Sequence, residues 1–455
     1  VHKFFLSLTV LATLLFLAQW YCVVSVRKYV LERYAAISRR AAYLILGLLG
    51  LMNFLFVRLT FGGSIVGADS MGHKLASIVF FSYLGCVLVL TLFFWMLDAA
   101  CALLNLKDWA LRIIRGTSPL CVGAGHVSPS CHDRATPAAQ EPPPLPSPAN
   151  PGAAADLQSR TSRRAFLKWG AATGLTATGV LAGHGIAQGY SKPVVEEFDV
   201  DHPDLEGIDR PLSLIHVTDF HFGMFYGAPD LERLVDRLNS IEGDALFITG
   251  DVLHSPLSDS ERAGAILSRL RPRRWGNIAV LGNHDIYAGM TRSVRSFKHA
   301  GLILLRDQWL TFREGAAVIH VGGIDDPMTN WLTGRIFPGF DSFMAKAPKG
   351  PGLRLLLSHR PAVLPLAAES GVDLVLAGHI HGGQVIAPLP GNEKGLSVAG
   401  LVSDYTTGWY KEGNCRLYVN RGVGLTFLPW RINCPAEIAV FRLTRPASAL
   451  PGRHA

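Results

Sequence analysis

Five polar clusters, each placed directly after a short apolar run, constrain this chain more than any other feature. They are Asp219-Phe220-His221, Gly250-Asp251, Gly282-Asn283-His284-Asp285, Ser358-His359 and Gly378-His379-Ile380-His381. The runs that lead into them, LSLIHVT, DALFIT, NIAVLG, LRLLLSH and VDLVLAG, read as strands. Side chains just beyond a strand lie on the C-terminal edge of its sheet, where neighbouring strands converge, so five scattered clusters are expected to build one site. Three more strand-like runs, AAVIHVGG, RLYVN and EIAVFRL, and helical patterns at 229–240, 259–270, 291–299 and 361–369 complete the alternation. From about residue 211 the pattern predicts an α/β domain with a central sheet covered by helices.

The N-terminal part is of another kind. Apolar runs at roughly 4–26, 41–61 and 75–104 are each long enough to cross a hydrocarbon core of about 30 Å as a helix, which predicts three transmembrane helices over residues 1–104. The loop after the first run carries Arg27, Lys28, Arg33, Arg39 and Arg40, whereas the loop after the second carries only Lys74. By the positive-inside rule the first loop is cytoplasmic and the third run ends in the cytoplasm. Residues 1–195 hold 17 Lys+Arg against 7 Asp+Glu, and residues 196–455 hold 26 against 28. The basic excess is thus a property of the membrane-proximal half, and no nucleic-acid partner is expected.

Residues 105–160 contain EPPPLPSPANPG and read as a Pro/Ala-rich cytoplasmic linker, extended and disordered, apart from an amphipathic stretch near Lys107–Arg115. In 161–190, Ser162-Arg163-Arg164-Ala165-Phe166-Leu167-Lys168 fits the twin-arginine export pattern, with Arg163 and Arg164 as the signal pair and a mildly apolar stretch at 169–187 behind it. A fourth span with basic flanks is the alternative. Both readings carry the following domain to the outer face of the plasma membrane and leave the segment as an anchor. The twin-arginine reading adds the export machinery as a partner. Of seven cysteines only Cys415 and Cys434 fall in the soluble domain, where they would either pair in an oxidising compartment or stay as buried thiols.

The five clusters, in this order and each after a strand, resemble the calcineurin-like metallophosphoesterase superfamily over residues 211–443. The resemblance implies a metallophosphoesterase-like, four-layer fold over 196–445, a β-sheet sandwich flanked by helices. It also implies a dinuclear metal site. One metal would take Asp219, His221, Asp251 and His381; the second would take Asp251, Asn283, His359 and His379. His284 would donate a proton to the leaving group or steady the phosphoryl oxygens, with Asp285 orienting its imidazole. Carboxylate, imidazole and amide oxygen ligands suit Mn first, and also Fe, Zn or Co. The implied activity is phosphoester hydrolysis by attack of a metal-bridged hydroxide.

The runs AGHIHGGQV and YVNRGVG…LPWRINCPAEI look like the membrane-associated bacterial branch. That branch holds twin-arginine-exported cell-wall phosphoesterases and the diacylglucosamine-UDP pyrophosphatases of lipid A biosynthesis. The expected function is a membrane-anchored phosphoesterase acting on a phosphodiester or pyrophosphate of an envelope or lipid-linked molecule. The alternatives are the diacylglucosamine-UDP pyrophosphatase activity and a metal-binding scaffold without turnover. His216 reads as a core or surface histidine, and His254 as a loop histidine or a substrate contact. Asp325 and Asp326 read as a strand-end turn or as support for the site. Arg360 reads as a phosphate contact or a salt bridge, and Arg421 and Arg431 as rim residues.

Overall fold

The computed structural model describes residues 15–26, 71–114, 151–327 and 339–446, with positions 28, 47 and 337. Before the strands the described residues include the helices α1 (Leu15–Val26), α2 (Met71–Ile114) and α3 (Pro151–Gly189). Among the described residues only Ser77–Ala100 of α2, 24 residues, is long and apolar enough to cross a membrane. Of the three expected spans the described residues hold this one: the described part of the first run, α1, is by itself too short to cross, and its residues before 15 and the run at 41–61, apart from position 47, lie outside the described residues.

Helix occupies the last residues of the expected linker and, at its start, the stretch read as amphipathic. The apolar α2 continues to Ile114, and α3 begins at Pro151. Proline is tolerated in a first helical turn, and the alanines that follow favour helix. Residues 115–150 lie outside the described residues. The Ser162–Lys168 motif falls within α3.

The chain divides into two compact units, 1–53 with 86–179, and 54–85 with 180–455. In the first, Phe94 and Ala171 are buried with Tyr21, Leu90, Phe93 and Leu97 around them, and Lys28 pairs with Asp98 at 2.6 Å.

The second unit holds two six-stranded sheets. The first has the order β1 (Val194–Asp201), β14 (Glu437–Thr444), β2 (Leu212–Val217), β3 (Ala245–Thr249), β4 (Asn277–Val280), β5 (Ile303–Leu304). Only its β14–β2 pair is antiparallel. The second has the order β12 (Gly408–Glu412), β13 (Cys415–Val419), β9 (Leu374–Ala377), β8 (Leu353–Leu357), β7 (Ala317–Gly323), β6 (Gln308–Glu314). Its outermost pairs are antiparallel and its inner pairs parallel. A small hairpin, β10 (Ala387–Leu389) with β11 (Asn392–Leu396), stands apart from both.

Strand periodicity builds the core. Residues i and i+2 share a face, so Leu353, Leu355 and Leu357 of β8 meet Leu214, Phe247, Val280 and Phe441 between the sheets. The opposite faces bury Ile215, Leu246 and Ile248 under α4 (Ala228–Asn239), α5 (Ser260–Leu267) and α7 (Met290–His299). Leu356, Val375 and Leu417 lie under α8 (Phe340–Met344) and α9 (Leu364–Glu369). The unit is therefore helix, sheet, sheet, helix, an α/β fold with two mixed sheets. Helix α4 shows how sequence sets this packing. Leu231, Leu234, Val235 and Leu238 form one buried stripe at helical spacing, and the Asp230 carboxylate caps the first turn by accepting from the Gly227 N–H at 2.8 Å.

Phe247→Ala removes a fully buried ring between the sheets. The expected cost is about 3–5 kcal/mol, seen as a clear fall in the thermal unfolding midpoint. An unchanged midpoint would remove Phe247 from the core that holds the two sheets together.

Candidate metal centre

Four parallel strands deliver the site. Strands β2, β3, β8 and β9 end at Val217, Thr249, Leu357 and Ala377, and the candidate ligands Asp219, Asp251, His359 and His379 each follow two residues later. Asn283 and His284 follow β4 and open the short helix α6 (Asn283–Tyr287). Turning inward so soon demands unusual backbone. Asp219 (φ 57°), His221 (φ 50°), Asp251 (φ 54°), His379 (φ 75°) and His381 (φ 53°) all adopt the left-handed region. Such residues cost roughly 1–2 kcal/mol each, a sizeable fraction of a typical net stability of about 5–15 kcal/mol. Strain of this kind concentrates at functional sites.

The turns bring two groups together. Asp219, His221 and His381 form one; Asp251, His359 and His379 form the other. In the first, His221 Nε2 lies 2.9 Å from His381 Nε2, and His381 Nε2 lies 3.3 Å from Asp219 Oδ1. In the second, His359 Nε2 lies 3.1 Å from His379 Nδ1. Asp251 Oδ2 stands between the groups, 3.2 Å from His359 Nε2 and 3.6 Å from His221 Nε2. Atoms bound at about 2.0–2.2 Å to one cation lie roughly 3–3.5 Å apart, so these separations fit coordination.

The electrostatics point the same way. Burial holds the His221 imidazole well below its usual range, and burial and the neighbouring His359 bring His379 down to about 3. Burial alone would raise Asp251, but His359 and His284 hold it well below the usual carboxylate range. Burial likewise opposes charge on His359, yet the adjacent Asp251 carboxylate lifts it to about 10. Asn283 Oδ1 and Asp219 Oδ1 are buried without a hydrogen-bond donor. An orphaned amide oxygen beside clustered imidazoles and carboxylates is the donor set of a hard or borderline divalent cation. The residues present therefore fit a dinuclear metal site.

Supporting contacts fix the rings. The Thr249 carbonyl accepts from His359 Nδ1 at 2.8 Å, which leaves Nε2 turned to Asp251. Asp219 Oδ2 accepts from the His379 N–H at 2.9 Å and from the Thr218 hydroxyl at 2.8 Å. Gly282 allows the closest approach: a Cβ there would overlap Asp251 Oδ1.

Residues 212–383 match the calcineurin-like phosphoesterase family. The domain is a calcineurin-like metallophosphoesterase. Among its relatives is the uncharacterized metallophosphoesterase YkuE of Bacillus subtilis, 29% identical over 299 residues, covering 62% of this chain and 98% of its own length. A transmembrane protein with metallophosphoesterase domain from Danio rerio is 30% identical over 274 residues, 58% of this chain and 60% of its own. The chain thus spans nearly all of the Bacillus relative and about three fifths of the zebrafish one. The solved phosphopantetheinyl hydrolase PptH of Mycobacterium tuberculosis overlaps 47% of this chain and 89% of its own at 13% identity, with a TM-score of 0.30.

Within this metallophosphoesterase domain the secondary residues sort cleanly. Asp285 does not orient His284: its Oδ1 accepts from the Leu253 N–H at 2.8 Å and its Oδ2 from the Gly282 N–H at 3.0 Å. Burial and Asp251 push its carboxyl up to about 7. It caps α6, and its position three residues past Gly282 is what a capping residue has. The partner of His284 is instead the His254 carbonyl, which accepts from Nδ1 at 2.7 Å. The His254 ring stacks on His284 at 5.0 Å, and its Nδ1 lies 3.2 Å from His221 Nδ1. Burial draws it down to about 3.

His216 lies in the core rather than on the surface, bonded to the Thr249 hydroxyl at 2.8 Å. Arg360 pairs with Asp326 in a buried bridge at 2.6 Å, and Asp325 with Arg306 at 2.6 Å. Arg421 pairs with Glu437 at 3.0 Å and also with Glu196. Arg431 is fully buried rather than at the rim. Cys415 and Cys434 are buried free thiols.

Gly282→Ala is expected to push the Asp251 carboxylate out of place. Bound metal, measured by elemental analysis of the purified protein, should fall from two equivalents to one or none while far-UV circular dichroism stays unchanged. Two retained equivalents would remove Asp251 from the shared position.

Proposed function

We propose that this chain is a membrane-anchored, dinuclear-metal phosphoesterase that hydrolyses a phosphodiester or pyrophosphate bond of an envelope or lipid-linked molecule. In this reading Asp219, His221, Asp251 and His381 hold one cation, and Asp251, Asn283, His359 and His379 hold the other, with Mn preferred. The observation that carries it is Asp251 Oδ2, within 3.2–3.6 Å of imidazoles from both groups. A carboxylate so placed can bridge two cations. Two bound divalent cations would neutralise phosphoryl oxygens and lower the pKa of water.

The chain's own residues supply the rest. The His284 Nδ1–H donates a hydrogen bond to the His254 carbonyl, which fixes the ring and leaves Nε2 for the substrate. A protonated Nε2 would pass its proton to the leaving oxygen, or hydrogen-bond a phosphoryl oxygen as negative charge builds. The imidazole of His254, stacked on His284, keeps water from that side of the ring.

Membrane anchoring is supported by the apolar span in α2 and by the transmembrane naming of the Danio rerio and Bos taurus relatives. Placement on the outer face, multi-pass topology and twin-arginine export are supported by the basic loop at 27–40 and by Ser162–Lys168. These features favour the twin-arginine-exported branch over the cytoplasmic nucleotide pyrophosphatase.

The test is hydrolysis of bis-p-nitrophenyl phosphate by the full chain in detergent. Turnover should vanish with chelator and return with Mn. Asp251→Asn should abolish it, and His284→Ala should lower kcat by about 10²–10⁴ while both metal equivalents remain. Two bound metals without turnover of this substrate or a monoester would turn the reading towards metal-dependent binding.

A further inference from the structure

Exposed apolar side chains gather beside the metal centre. Val398, Leu401 and Phe427 are 80%, 77% and 78% exposed, and Leu396 and Leu389 are about half exposed. They lie on two segments, 385–402 and 424–433. The first carries only Glu393 and Lys394 as charges, and the only charge of the second, Arg431, is fully buried. Phe427 is held at φ 57°, an unfavourable backbone for a bulky residue that then presents its ring to the outside.

The two segments are tied to each other and to the site. Gln384 donates to the carbonyls of Leu428 (2.8 Å) and Trp430 (3.2 Å) and accepts from the Thr426 N–H (2.7 Å). The Ile386 N–H donates to the Ile432 carbonyl at 2.9 Å. Gly383, two residues past His381, has no room for a Cβ against Ser397. The apolar rim therefore begins within a few residues of a candidate ligand.

The same loop meets the apolar helix. Within the second unit, the start of α2 runs along the domain: Lys74 pairs with Asp230, Phe81 packs edge-on against Phe225 at 5.2 Å, and the Trp430 indole N–H donates to the Ser82 hydroxyl at 3.1 Å. The Trp430 ring covers Gly85, the last residue of α2 in this unit. Within this unit the candidate span thus ends against Trp430, three residues from exposed Phe427.

We propose that this rim, Leu396, Val398, Leu401 and Phe427, docks on the lipid bilayer that α2 enters, and that the metal centre takes phosphoesters borne on lipids of that bilayer. The inference rests on the membrane-anchored reading above. A tryptophan beside the candidate span suits the interface between hydrocarbon and water. An exposed apolar patch bordered by a membrane span is covered without cost by that membrane. A lipid headgroup at this surface would stand beside His381, and a freely diffusing phosphoester would gain nothing from the rim.

The test uses the full chain in phosphatidylglycerol/phosphatidylcholine nanodiscs, with the photo-crosslinking residue p-benzoylphenylalanine placed at one position at a time. Positions are Leu401 and Phe427 on the rim, Leu88 in the candidate span, and Glu242 before the N-terminal end of β3, where no docking is expected. Intact mass after irradiation should show phospholipid adducts at 88, 401 and 427 and none at 242. Adducts at 88 without adducts at 401 and 427 would overturn the docking and leave the anchor intact. Adducts at 242 as abundant as those at 401 would overturn it as non-specific. No adduct at 88 would remove the anchor itself, and the docking with it.

Discussion

The structure depends on one constraint: carboxylates and imidazoles from five strand ends must share a small buried volume. Unpaired burial of such groups is unfavourable, and the chain resolves the problem by pairing them closely. Asp251 faces His359, Asp219 faces His381, and the rings of His221 and His381 stack at 4.8 Å. The left-handed turns at Asp219, Asp251 and His379 are the geometric consequence. Each strand has two residues in which to reverse direction, and a carboxylate or imidazole must finish pointing along the sheet edge. Cations bound by these groups favour the folded state, because the unfolded chain has no assembled site. Fold and metal centre are thus one device.

Much of this was legible in the sequence because it follows from periodicity. The apolar runs before Asp219, Asp251, Asn283, His359 and His379 are buried on both faces, so they stand out as strands, and polar residues directly after them must lie on an edge. Less legible were strands that are only half buried. VVEEFDVD pairs in parallel with β14 yet alternates apolar with charged residues at a sheet edge. Edge strands β6 and β12 escaped for the same reason. Residues whose work is done by backbone atoms left no trace either. The carbonyls of Thr249 and His254 set the orientation of His359 and His284, and a carbonyl has no side-chain signature. Asp285 misled in the opposite way. Its neighbour in sequence is His284, but on a helix adjacent residues point apart, and the carboxylate turns back to cap the helix it stands on.

Arg431 joins these themes. A fully buried guanidinium is expected to face a carboxylate, yet its partners are carbonyls: Arg421, Gly422 and Gly424 receive bonds of 3.0, 2.9 and 2.7 Å, and Cys434 one of 3.1 Å. Burial accordingly holds its pKa below the ordinary value. The first three carbonyls belong to the turn that covers Asp219, since the Gly422 backbone leaves no space for a Cβ against it and the Gly424 N–H donates to the Asp219 carbonyl at 2.8 Å. On its other side the Arg431 N–H donates to the Gly185 carbonyl of α3 at 2.9 Å, beside Trp430 on α2. One residue therefore connects Gly185 of α3 to the turn that shapes the first metal group. An apolar side chain of the same size would take a donor from four carbonyls, of which only that of Gly422 also accepts from a backbone N–H, that of Glu437 at 3.2 Å. The segment 421–434 thus carries both the contact to Ser82 of α2 and the turn over Asp219.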